Sequence, residues 1–224
     1  MSTREPFRWH ETYKRLEELH DDFVLEPAPH GFTAHDDRGT KVALFHAPLI
    51  LPVAGRSAEE YIEEQSTPGS HTLLLIQAGS TAIGVWDDDE LLRHKVIKKY
   101  VVRGSGRAQP AHLKTKGKSR YGSRLRLQNA KNQLVETNEK LIDYELDLGQ
   151  SDRIYFSVPV RTWPELFRTT PPPPFKAEDA RLHKIPLDVH VPNFEELERV
   201  RAWLARGRVE WLDEGEQQPD PTRL

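Results

Sequence analysis

A chain of 224 residues can bury an ordinary hydrophobic core as one α/β domain and is tight for two. It has no cysteine, which removes disulfides, thiolate zinc sites and cysteine nucleophiles and fits a reducing compartment. The net charge is −3, yet residues 91–135 hold 13 Lys or Arg and no Asp or Glu, leaving 19 basic against 35 acidic residues elsewhere, so one basic stretch in an acidic chain points to a polyanion partner.

In chain order, Trp9 to Asp22 reads as an amphipathic helix, with Trp9, Tyr13, Leu16 and Leu19 at helical spacing. Phe23 to Leu25 lead into a turn-rich segment, and Lys41 to Phe45 form a strand. Ser57 to Gln65 is a helix, with Ser57 and Glu60 as its capping box. Thr72 to Gln77 and Thr81 to Trp86 are apolar runs around Ala78, Gly79 and Ser80, a hairpin. Asp87 to Asp89 make a turn, with Asp89 opening a short helical turn, and His94 to Val102 is a strand. Gly104 to Ser119 has little apolar content and includes Gly104, Gly106, Pro110 and Gly117, a long exposed loop of a length usually functional or disordered.

A long helix is expected from Tyr121 to Leu148. Leu127, Ala130, Leu134, Thr137, Leu141, Tyr144 and Leu148 recur at spacings of three and four, and Gly149 supplies the stop. Arg153 to Val158 is a strand, and Pro171 to Pro174 an extended spacer that would mark a sub-domain edge or a surface excursion. Leu182 to Val189 is a strand, Phe194 to Ala205 a helix, Val209 to Leu212 a short strand, and the end of the chain a disordered tail, residues 214–224. Met1 to Arg15 is polar and no apolar run reaches membrane-spanning length, so a soluble, cytoplasmic protein with no membrane contact is expected.

The long helix carries Arg120, Arg124 and Arg126 toward its N-terminus and Glu136, Glu139, Asp143, Glu145 and Asp147 toward its C-terminus. This order opposes the helix dipole, at a cost of about 0.3–1 kcal/mol for each misplaced charge. A local rule broken repeatedly points to function, here an anion site at the positive helix end suited to a ribose-phosphate backbone. Gly117-Lys118-Ser119 echoes the end of a nucleotide P-loop, but His112 stands where that motif needs glycine. Gly104 and Gly106 would begin a dinucleotide fingerprint, but Gln109 falls on its third glycine.

Tyr100-Val101-Val102-Arg103, Gly106-x-x-Gln109, Lys114-x-Lys116-Gly117-Lys118-Ser119-Arg120, and the helix with Arg124-Leu125-Arg126 and Asn129 together resemble the Vms1-like release factor family (VLRF1). That family is similar to the catalytic domain of eukaryotic and archaeal peptide-release factors, and a bacterial member is expected. The resemblance is specific over about residues 94–142. It implies an α/β fold of one domain, residues 1–213, with a mixed β-sheet, flanking helices and a ribonuclease H-like appearance, in which the active loop, 104–120, precedes the long helix. It implies a peptidyl-tRNA hydrolase that releases the nascent peptide on stalled ribosomes or split large subunits. Gly106, Arg107, Ala108 and Gln109 form the catalytic loop, with Gln109 positioning the attacking water or a backbone N–H for the developing oxyanion. Arg103, Lys114, Lys116, Lys118, Arg120, Arg124 and Arg126 contact ribosomal RNA or the tRNA acceptor stem through phosphates. The implied partners are the ribosomal large subunit and peptidyl-tRNA, met by a monomer without a cofactor. Arg107 and Ala108 depart from the two glycines of release factors and the Gly-Ser of the Vms1 type, and Pro110 follows the glutamine.

Other sites are weaker. No H-E-x-x-H pair accompanies His10-Glu11, so no metal site is expected. His112 reads as an incidental loop histidine, the Asp87 to Glu90 cluster as a solvated turn, and Tyr100 and Tyr121 as candidate base-stacking residues. The alternative function is a non-catalytic RNA-binding protein using the same basic loop. A two-metal nuclease would need clustered carboxylates, for which the sequence offers no pattern.

Overall fold

The computed structural model describes residues 3–100 and 118–213, with the backbone alone for 118–123. The elements are β1 (Thr3–Arg8), a single 3-10 turn (Trp9–Glu11), α1 (Thr12–Asp22), β2 (Val24–Ala28), β3 (Gly31–His35), β4 (Lys41–His46), α2 (Ala58–Glu64), β5 (Ser70–Gln77), β6 (Ser80–Asp87), β7 (Glu90–Lys98), α3 (Lys118–Leu148), β8 (Arg153–Ser157), α4 (Trp163–Phe167), β9 (Leu182–Lys184), α5 (Phe194–Leu204) and β10 (Arg206–Trp211). The α/β class expected from the sequence holds, with the strands shared between two sheets. The chain divides into two compact units, Met1–Pro68 with Arg201–Leu224, and Gly69–Val200.

The first unit contains an antiparallel sheet of order β1-β10-β4-β3-β2. One face buries Phe7, Phe32, Ala34, Ala43, Phe45 and Val209, and the helices contribute Leu16, Leu19 and Tyr61 to the buried set. Phe7 stacks on Phe45 at 5.2 Å, and the Tyr61 hydroxyl donates to the Leu51 carbonyl at 2.6 Å. The expected capping box closes α2, as Glu60 N–H donates to Ser57 Oγ and Ser57 N–H to the Glu60 carboxylate. β1, β2 and β3 went unread because β1 and β2 carry Pro6 and Pro27, which weaken a strand pattern and are tolerated at the sheet edges these strands occupy.

The second unit contains a mixed sheet of order β7-β6-β5-β8-β9, antiparallel from β7 to β5 and parallel from β5 to β9. The expected hairpin is β5–β6, turned by Ala78 and Gly79, with Gly79 at φ +86°. On one face, Leu134 and Leu141 of α3 join Leu74, Ile76, Ile83, Ile154, Leu166 and Phe175 in a single core. Trp86 packs over Gly84, where an added Cβ would lie 2.4 Å from the indole ring.

Several expected boundaries moved. β7 starts at Glu90 and ends at Lys98, and Asp88, at φ +48°, makes the β6–β7 turn with no helical turn after it. Its carboxylate accepts from Gly69 N–H at 2.8 Å. α3 begins at Lys118 and ends at Leu148, with Gly149 at φ +83°. β9 covers only three residues, because Pro186 follows and the Val189 carbonyl accepts from the Gln77 side chain. The proline run folds back into the second unit: Asn138 donates to the Pro171 carbonyl, and Pro173 and Phe175 are buried.

Candidate functional site

The loop read as catalytic leaves the chain after Tyr100 and re-enters it at Lys118. Gly106, Arg107, Ala108 and Gln109 lie outside the described residues, as do Arg103, His112, Lys114 and Lys116. Lys118 and Arg120 fall in the first turn of α3, and Arg124 and Arg126 follow in the next two turns, Arg124 exposed and Arg126 partly so. α3 thus brings four of the expected RNA contacts onto one rigid element.

Its placement follows from where its apolar residues begin. From Arg124 to Asn132 no side chain is buried, whereas Gln133, Leu134, Thr137, Asn138 and Leu141 are. The apolar repeat of the sequence therefore starts packing at Leu134, about two turns later than read, and Leu127 is 74% exposed. At 1.5 Å per residue the 31-residue helix is about 46 Å long, against about 30 Å for the nine residues of β7. The packed half anchors the helix, and the side chains from Arg124 to Asn132 stay unburied.

Polar bonds set the register of that anchor. Gln133 Nε2 donates to the Gln77 carbonyl and to Thr81 Oγ1, each at 2.9 Å, and its Oε1 accepts from Gly79 N–H at 3.0 Å. One buried amide thereby ties the β5–β6 turn to α3. Thr137 Oγ1 reaches Thr81 Oγ1 at 3.2 Å. Asn129, part of the motif read in the sequence, donates from Nδ2 to the Tyr100 carbonyl at 2.8 Å and fixes the last described residue before the loop to the helix that follows it. Gln133 was not singled out in the sequence, since a glutamine beside Leu134 resembles any partly solvated helix position.

Two cations of the basic run are used within the fold. Arg93 pairs with Asp147 at 3.0 Å and Lys99 with Glu136 at 2.6 Å. Both alternate with the residues of β7 that face away from α3, such as His94, whose ring lies 4.6 Å from Phe194. The acids of the helix's C-terminal half are thus partly neutralised by β7, and positive charge is left concentrated at the helix head. Lys140 pairs with Asp143, which holds the Lys140 ammonium above its ordinary pKa, and burial raises that of Tyr144. Among the described residues no group of three or more His, Asp or Glu is placed to hold a metal ion, the Asp87–Glu90 cluster included. Likewise, no described helix is long and apolar enough to cross a membrane.

The second unit is thus an α/β unit whose mixed sheet delivers β7 to one end of a glycine-containing segment and the cation-headed α3 to the other. The family described as "Bacteroidetes VLRF1 release factor" matches residues 71–211, and the chain belongs to that family. Membership supports a release-factor-like role in translation, in ribosome rescue. Among solved structures the chain is similar to one described as the Vms1 mitochondrial localization core, at 14% identity and a TM-score of 0.49, over 89% of this chain and 80% of that one. No curated protein matches the chain.

Proposed function

We propose that the protein is a peptidyl-tRNA hydrolase that frees the nascent peptide on stalled ribosomes or split large subunits. The observation that carries this reading is the family match over residues 71–211, which spans Gly106 to Gln109 and all of α3. Gln109 orients the water that attacks the ester, or a backbone N–H toward the oxyanion, while Gly106 lets the backbone enter a narrow RNA-walled site. Lys114, Lys116, Lys118, Arg120, Arg124 and Arg126 bind phosphates and set orientation without reading sequence. The Asn129 bond to Tyr100 supports this assignment, because it ties the residue before the proposed loop to the helix that follows it. Residues 1–213 act together as this hydrolase, as a monomer in the cytoplasm.

The test is peptide release from purified large subunits carrying a stalled peptidyl-tRNA, followed on a gel. Wild type releases the peptide, and Gln109→Ala binds but does not release. Equal release by both proteins would overturn the role of Gln109. Release by neither, with salt-sensitive binding by both, would leave the RNA-binding reading, which is favoured by the loss of the flanking glycines at Arg107 and Ala108.

A further inference from the structure

The first unit has a second concentration of positive charge that is invisible along the chain. In the antiparallel register of β1, β10 and β4, Arg8 lies opposite Arg206, Pro6 opposite Arg208, Arg4 opposite Glu210, and Arg208 opposite His46. Directly opposed residues share a face, so Arg4, Arg8, Arg206, Arg208 and His46 stand together on one side of the sheet. The other side carries the buried Phe7, Val209 and Phe45. Arg8 and Arg206 are exposed, and the Arg4 and Arg208 side chains keep 64% and 47% of their accessible surface.

Within these three strand rows the acid on this face is Glu210. Arg4 reaches its Oε1 at 2.7 Å, while His46 and Arg208 lie 3.6 and 3.8 Å from its Oε2. Two of the four arginines and His46 therefore crowd around one carboxylate. Like charges directly opposed across a strand pair destabilise a sheet, and here Arg8 faces Arg206. An unfavourable pairing held on an exposed face is a local exception of the kind that function accounts for.

We propose that this face is a second RNA-contact surface, which grips the phosphate backbone of duplex RNA at a distance along the chain from the loop. The proposal rests on the reading that the protein works on the ribosome. Cations two residues apart on a strand are about 7 Å apart and those on neighbouring strands about 5 Å, a spacing that meets successive phosphates. The face carries no Phe, Tyr or Trp at these positions, only Pro6 and Leu44 between the charges, so it suits backbone contact and not base stacking. Arg4, Arg8 and His46 lie outside the segment matched by the family, residues 71–211, so the surface is built in part by the chain's own N-terminal region.

The test uses the full chain and a short RNA duplex, with binding followed by fluorescence anisotropy over a salt series. Arg8→Gln/Arg206→Gln/Arg208→Gln, with unchanged thermal melting, binds at least tenfold more weakly at low salt. Its log–log salt slope falls by about 2–3, from three lost phosphate contacts at roughly 0.9 each. Glu210→Gln binds several-fold more tightly, a gain that misfolding does not produce. If the arginine variant and Glu210→Gln both bind like wild type while Lys114→Ala/Lys116→Ala/Lys118→Ala loses affinity, the second surface falls and the hydrolase reading stands. If the lysine variant is unchanged as well, both RNA assignments fall. Displacement by polyglutamate as effectively as by unlabelled duplex would overturn RNA in favour of an acidic protein.

Discussion

Gln133 shows how one side chain can position a site that it does not touch. Three of the four hydrogen bonds its amide can make go to the β5–β6 hairpin, to Gly79 N–H, the Gln77 carbonyl and Thr81 Oγ1. A buried amide bonded in this way contributes little net energy, but removing it strands the groups it served. Gln133→Ala is expected to cost about 2–4 kcal/mol of stability, read as a lower urea midpoint. A loss under about 1 kcal/mol would show that water replaces the amide. Arg93 and Lys99 teach a related lesson, since as letters they belong to the basic run, while in space they pair with Asp147 and Glu136.

The element that matters most is α3, and its two halves answer to different physics. From Gln133 onward it is held by burial, with Leu134 8% and Leu141 5% exposed. Before that point its charges run against the helix dipole, and an isolated segment of that composition would be marginal in water. The packed half therefore supports the exposed one. Leu134→Ala should destabilise the protein by about 2–5 kcal/mol, whereas Leu127→Ala should stay within about 0.5 kcal/mol, both measured by chemical denaturation. A large effect at Leu127 would mean that the head of the helix is packed in solution.

For the molecule as a whole, a net charge of −3 conceals its behaviour toward polyanions. Charge is sorted into a cationic loop and helix head, an arginine-bearing sheet face and an acidic remainder, so binding to large subunits should fall steeply with salt despite the negative total. Lys114→Ala/Lys116→Ala/Lys118→Ala should flatten that dependence, lowering the log–log slope by about 2–3. An unchanged slope in filter-binding assays would remove the loop from the interface.

What the sequence by itself determined is local or nearly so. The capping box of α2, the turn of the β5–β6 hairpin and the end of α3 at Gly149 each depend on residues a few positions apart, whose chemistry acts before any tertiary contact forms. The division of the strands into two sheets, the use of Arg93 and Lys99 inside the fold, and the meeting of Arg4 and Arg8 with Arg206 and Arg208 were decided only by tertiary structure. Strand register between segments some 200 residues apart is set by which faces can be buried together, and no window of sequence contains both partners.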